Sequence, residues 1–153
     1  MGRTQNWRAL GNLMVVVHGA ESPSVVDWAR YVNELRAHVP PVERILVRTR
    51  GGAPDGKQRA AFTEVFRGEQ PRVAVMTGSR MVQGVVNAFR IFNPSTSAFA
   101  LDGWEDVGEF LGLSAEERVR ATTLAAELER ELSGPRTSLP PSTRAQPVAQ
   151  RKR

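Results

Sequence analysis

With 153 residues, 41% of them hydrophobic, the chain has the length of one domain with an ordinary core, and the absence of cysteine excludes disulfides, thiolate metal sites and cysteine nucleophiles. Twenty-one basic against sixteen acidic residues suggest a nucleic-acid binder, yet five of the cations and none of the acids fall in residues 135–153, so residues 1–134 are electrically balanced. Two histidines are too few for a zinc site without carboxylate support, no apolar run approaches the roughly 20 residues of a membrane span, and MGRTQNWRALGN lacks the apolar core of a secretory signal. The expectation is a cytoplasmic protein with no metal and no cofactor.

Three short apolar runs set the architecture. LMVVVHG (13–19), RILVRTRGG (44–52) and RVAVMTGS (72–79) each end in small or polar residues and lead into an amphipathic helical stretch, the rhythm of a parallel α/β domain. Ahead of the first, QNWRAL (5–10) reads as a strand that turns at Gly11-Asn12 into the strand 13–18, an antiparallel entry through residues that tolerate positive φ. Ser22-Pro23-Ser24 then opens a helix with the proline in its first turn, and Val25, Trp28, Val32, Leu35 and Val39 recur at helical spacing as its buried stripe. Pro40-Pro41 ends it, and His38 in the last turn is expected to interact with the helix C-terminus.

In the strand that follows, Ile45 and Val47 alternate with Arg44, Leu46 and Arg48, so one face reads as partly buried and the strand is expected near an edge of the sheet. Asp55 with Gln58 three residues on has the form of a capping box, opening a short helix that buries Phe62, Val65 and Phe66 and stops at Gly68. Ser79 caps the helix after the third parallel strand, with Val82, Val85, Val86, Phe89 and Phe92 along one face and Asn93-Pro94-Ser95 as its stop. SAFAL (97–101) reads as a last strand, followed by a helix from Asp102 with Trp104, Val107, Phe110 and Leu111 inward. Ser114 and Glu117 form a second capping box for a helix running to about Leu132 and ended by Gly134-Pro135. Its narrow stripe of Leu124, Leu128 and Leu132 suits packing on its own domain or against a partner helix. The organisation is therefore a domain over 1–113, a C-terminal helix over 114–134 and a proline-bearing basic tail over 135–153 that composition predicts to be disordered.

Chemistry in such a domain gathers where parallel strands end and helices begin. That edge collects His18 and Gly19, then Thr49, Arg50, Gly51 and Gly52, then Thr77, Gly78, Ser79 and Arg80. Exposed N–H groups, glycines and a nearby arginine are ingredients of a phosphate or carboxylate pocket, although neither G-x-G-x-x-G nor the P-loop pattern occurs and glycines after strands serve turns in any case. A general base at His18 with Ser22, Ser24 or Ser79 as nucleophile needs partners within reach, but serines before helices are caps first, and G-x-S-x-G is absent. No catalytic residue is assigned. The basic tail, lacking interleaved aromatics, gives charge-driven contact with nucleic acid or anionic lipid at most.

The phrases VVVHGAESPSVVDW (15–28), RTRGGAPDGKQR (48–59) and VAVMTGSRMVQGVVNAFRIFNP (73–94), in the order hairpin, helix, strand, helix, strand, helix, strand, helix, resemble the STAS-like domains of bacterial anti-sigma-factor antagonists over about residues 7–113. The resemblance implies a mixed, mainly parallel sheet of four to five strands and a non-enzymatic module that regulates by docking on a protein partner. In that group a serine at the start of the helix after the second long strand is phosphorylated; here the segment Arg50 to Lys57 holds no serine, and the nearest hydroxyl is Thr49. The resemblance thus places partner binding at Arg50, Asp55, Lys57 and Gln58 and puts the phospho-switch in doubt. The alternative is a small anionic ligand, phosphorylated or acyl, held by His18, Gly51, Gly52, Thr77, Ser79 and Arg80.

Overall fold

The computed structural model describes residues 3–91 and 93–134. The element order is β1 (Gln5–Leu10), β2 (Leu13–His18), α1 (Val25–Ala37), β3 (Arg44–Thr49), α2 (Gly56–Val65), β4 (Arg72–Thr77), α3 (Arg80–Phe89), β5 (Thr96–Phe99), α4 (Trp104–Leu111) and α5 (Ala115–Ser133). The five strands lie side by side in chain order, β1 antiparallel to β2 and β2 through β5 parallel. Gly11, at φ 60°, makes the hairpin turn that joins the first two. Among the described residues no helix is long and apolar enough to cross a membrane.

Because every parallel crossover steps to the next strand in the same direction, and such crossovers share one hand, α1, α2 and α3 fall on the same face. Met14, Val16, Ile45, Val73 and Val75 pack there against Trp28, Tyr31, Val32 and Leu35 of α1, Phe62 of α2 and Val82 and Val86 of α3. The opposite face, Leu13, Val15, Val17, Leu46, Ala74 and Met76, is covered by Val107 and Leu111 of α4 and by Ala121, Leu124, Ala125 and Leu128 of α5. With helices on both faces, all six residues of β2 are buried, which explains a run of unbroken hydrophobicity instead of alternation. α5 therefore packs on its own sheet.

Several expectations are corrected by this packing. β3 is the middle strand, not an edge: Arg44 and Arg48 are accommodated because Arg44 Nη2 meets Glu117 Oε2 at 2.8 Å and Arg48 Nε meets Glu129 Oε2 at 3.1 Å, both acids reaching over from α5. Val25 and Val39 do not belong to the buried stripe of α1; they are 82% and 85% exposed. Ser24 is the N-cap, with its hydroxyl accepting from the Asp27 N–H, so Pro23 precedes the helix instead of entering its first turn. His38 Nε2 bonds the Gly11 carbonyl oxygen at 2.9 Å, tying the end of α1 to the hairpin turn, while its Nδ1 lies 4.0 Å from Glu34 Oε2 one turn back in α1. α2 stops at Val65, before Gly68, the last strand runs over Thr96–Phe99, and α4 begins at Trp104 after Gly103. Phe92 and the tail from residue 135 lie outside the described residues.

Candidate functional site

The parallel strands end at His18, Thr49 and Thr77, each followed by a tight loop. The last two are built alike: the Thr49 hydroxyl accepts from the Gly51 N–H at 3.1 Å, and the Thr77 hydroxyl accepts from the Ser79 N–H at 2.9 Å. Thr49 also donates to the Gly52 carbonyl oxygen at 2.6 Å. Gly51 sits at φ 132°, a conformation that side chains rarely adopt, and a Cβ at Gly52 would drive into the Glu21 carbonyl. The Gly52 N–H donates to the Gly19 carbonyl at 2.9 Å. Both glycines thus serve the closure of one loop on another. The N–H groups of Gly51, Gly52 and Ser79, on which an anion cradle here would draw, already have acceptors within the chain.

α2 begins with Asp55 and Gln58 in a reciprocal capping box, the Gln58 N–H bonding Asp55 Oδ1 at 2.8 Å and the Asp55 N–H bonding Gln58 Oε1 at 2.9 Å. Gln58 is buried, its Nε2 donates to the Pro23 carbonyl at 2.9 Å, and its own carbonyl accepts from Trp28 Nε1 at 2.9 Å. This side chain holds α1 to α2 and is unavailable to a partner, which corrects its assignment to the docking surface. Thr4 fixes the start of α1 in a similar way, donating from both N–H and hydroxyl to Asp27 Oδ2 at 2.7 Å. Burial opposes the Asp27 charge, but these two bonds, Arg3 and Ser24 outweigh it and hold the carboxyl below its ordinary range.

His18 is 3% exposed, and burial depresses its pKa from 6.5 to about 4, so the ring is neutral at pH 7. It stacks on Trp28 with centroids 6.4 Å apart, and its Nδ1 is sealed from solvent with no hydrogen-bond partner among the described residues. His18, Trp28, Phe62, Val75 and Val86 line a cavity of about 70 Å³ between the sheet and α1, α2 and α3, and Gly52 also touches it. Thr77 instead lines a groove between α3 and β5 with Gln83, Asn87 and Leu101. The residues proposed to share one anion are thereby split between two places.

Outside, the same edge carries a mixed surface. Arg50, Lys57 and Arg80 are exposed and make no ion pair or side-chain hydrogen bond with any described residue. The same edge carries exposed hydrophobic side chains: Val25 and Val26 at the start of α1, Met81 at the start of α3 and Leu101 after β5. Leu101 belongs to this edge because its Cδ1 would lie 3.6 Å from a Cβ on Gly78, which follows β4. Most exposed large hydrophobics among the described residues therefore collect at one end of the sheet. Comparison with protein-family models, with curated proteins and with solved structures finds no match.

Sequence reasoning missed these apolar residues for a simple reason: Val25 fits the helical stripe by spacing, while Val26 and Met81 fall just off their stripes and were the readable signal. A wider groove of about 860 Å³ lies at the other end of the sheet, lined in part by Leu35, Arg44, Phe66, Arg72 and Leu111. Its strand arginines are engaged, Arg44 by Glu117 at 2.8 Å and Arg72 by the Phe110 carbonyl at 2.6 Å. Arg50, Lys57 and Arg80 at the loop edge are free, as are Arg30, Arg90, Arg120 and Arg130 elsewhere among the described residues.

Proposed function

We propose that this chain is a STAS-like regulatory module that performs no chemistry of its own and acts by docking the loop edge of its sheet on another protein. The observation that carries the reading is the coincidence, on that edge, of unpaired Arg50, Lys57 and Arg80 with exposed Val25, Val26, Met81 and Leu101. Apolar anchors ringed by charge are the composition of a protein interface, and the rim here is of mixed sign, with exposed Glu21, Asp55 and Asp102 on the same loops as the three cations. The element order, a hairpin followed by three strand-helix units with the strands in sequence, supports the STAS-like assignment. No serine stands between Arg50 and Lys57, and Thr49 is buried with its hydroxyl engaged, so the partner is held without a phosphate switch at this loop. Asp55 contributes by capping α2 and keeping Lys57 in place.

The small-anion alternative draws less support, since the loop N–H groups it would use are bonded within the chain. The docking reading is tested by native mass spectrometry of the protein recovered gently from its own cells, comparing wild type with the triple variant Arg50→Glu, Lys57→Glu, Arg80→Glu. All three sites are exposed, so the variant folds normally. A polypeptide retained by the wild type and lost from the variant supports the reading. Equal retention by both overturns it.

A further inference from the structure

β3 is the middle strand of the sheet, yet Val47 at its centre is only partly buried, while Ile45, two residues earlier on the same face, is buried completely. The helices above it leave a gap. α2 and α3 meet through Phe62 and Phe89, whose ring centroids are 5.7 Å apart, and Phe89 and Val85 of α3 stay partly exposed beside Val47 on the lining of the 70 Å³ cavity. That cavity is therefore a cleft between two helices, with Val47 and Val75, partners in the β3–β4 register, on its floor, Phe62 and Phe89 as walls, and partly exposed Pro54 and Arg59 at its rim.

Arg59 is the one side chain on this lining that is charged at pH 7. It stands one turn before Phe62 on α2, hence on the same side of the helix, and its Nη1 donates to the Pro54 carbonyl at 2.8 Å, which pins the guanidinium against the rim. It makes no other side-chain hydrogen bond and no ion pair with any described residue, and Asp55, one turn earlier, is committed to the cap of α2. No aspartate or glutamate lines the cleft. The other polar side chains there carry no charge: burial lowers the pKa of His18 and raises that of Tyr31, so both are neutral at pH 7, and Thr49 is held by Gly51 and Gly52. The Tyr31 hydroxyl has no hydrogen-bond partner among the described residues, but a hydroxyl both donates and accepts, so it serves an acid and an alcohol alike and leaves the choice of charge to Arg59.

We infer that this cleft binds a short unbranched carboxylate, with its apolar chain between α2 and α3 and its carboxylate on the free N–H groups of Arg59. A guanidinium presents parallel N–H groups that match the two oxygens of a carboxylate, and here no internal acid competes for them. The same charge repels an ammonium and gives a neutral chain nothing beyond burial. The volume sets the length: an apolar cavity of about 150 Å³ admits benzene, so one of 70 Å³ takes a body roughly half as large, a chain of about three carbon atoms. The cleft uses none of the loop N–H groups of Gly51, Gly52 and Ser79, and it goes beyond the docking reading, to which Arg59 contributes nothing.

The experiment titrates the full chain with butyrate, 1-butanol and butylammonium, which share one chain length and differ in the charge of the head group. Binding is followed by the methyl resonances of Val47 and Val75. The inference predicts saturable shifts with butyrate, affinity for 1-butanol about tenfold weaker, and no binding of butylammonium at the same concentrations. In Arg59→Gln the ratio of butyrate to butanol affinity falls about tenfold, the equivalent of one hydrogen bond to a charged group, while butanol binding persists. Val85→Phe fills the cleft and abolishes both, and Val85→Leu serves as the milder plug if the phenylalanine does not fold. Absence of saturable shifts with butyrate, butylammonium binding as well as butyrate does, an unchanged affinity ratio in Arg59→Gln, or undiminished binding in a folded plugged variant each overturns the inference. The charge-reversal triple at Arg50, Lys57 and Arg80 leaves the cleft lining intact, so docking and cleft binding fail independently.

Discussion

His18 makes the stability of this fold depend on pH between its free and its buried pKa. The ring is 3% exposed and its pKa lies at about 4, against 6.5 when free, so between those values the unfolded chain takes up a proton that the native state refuses. Stability is therefore full above pH 6.5 and declines as pH falls towards 4. Each pH unit in that interval is worth about 1.4 kcal/mol, so the descent to pH 5 removes about 2 kcal/mol and the descent to pH 4 about 3 kcal/mol. Asp27 and Glu117 are both held below the ordinary carboxylate range, so their contributions fall away at lower pH than that of His18. The assay is urea denaturation at pH 7, 6.5, 5.75 and 5, followed by tryptophan fluorescence, on wild type and His18→Leu. The wild type loses about 2 kcal/mol across this range, whereas His18→Leu, which has no proton to take up at this site, stays flat to within about 0.5 kcal/mol. A slope of the same size in both proteins would refute the placement of a neutral, buried His18 at the end of β2.

Three further substitutions test the frame of the fold. Glu117, bonded by the Arg44 side chain and by the Ser114 N–H, is held down to about 2, so it supports the fold above the ordinary glutamate pKa and ceases to as pH falls towards 2. Its side chain is 37% exposed, which reduces the contribution, and Glu117→Gln is expected to cost about 1 kcal/mol at pH 7 and nothing at pH 2 in a urea titration. Gly52→Ala forces a methyl group into the Glu21 carbonyl and should cost about 2–3 kcal/mol, whereas Gly68→Ala, which meets no neighbour, changes thermal stability little; equal effects would contradict the loop closure described above.

Local signals in the sequence were reliable because the physics behind them is local. The Gly11-Asn12 hairpin and the two capping boxes, Asp55 with Gln58 and Ser114 with Glu117, each involve residues within four positions of one another, and all three form as the sequence indicates. The position of β3 was not legible, since what allows Arg44 and Arg48 on a central strand is a pair of glutamates 73 and 81 residues further along. Gln58 shows both cases in one side chain. Its cap is visible from Asp55 three residues earlier, but its burial beneath Pro23 and Trp28 depends on how α1 and α2 meet across the sheet. The candidate site was legible as an edge and not as a surface: strand ends and loop glycines can be counted, while the exposure of Val25, Met81 and Leu101 depends on which helical face the sheet takes. The cavity at His18 has no signature in sequence at all, because its walls come from three strands and three helices.

The most direct measurement for the docking claim is amide hydrogen exchange on the chain alone and on the complex isolated with its co-purifying polypeptide. Added protection confined to residues 19–26, 50–57, 78–81 and 100–102 is the predicted footprint, since these segments carry the exposed valines, Arg50, Lys57, Arg80, Met81 and Leu101. Protection falling instead on α5 or on β1, with the loop edge unchanged, would contradict the account.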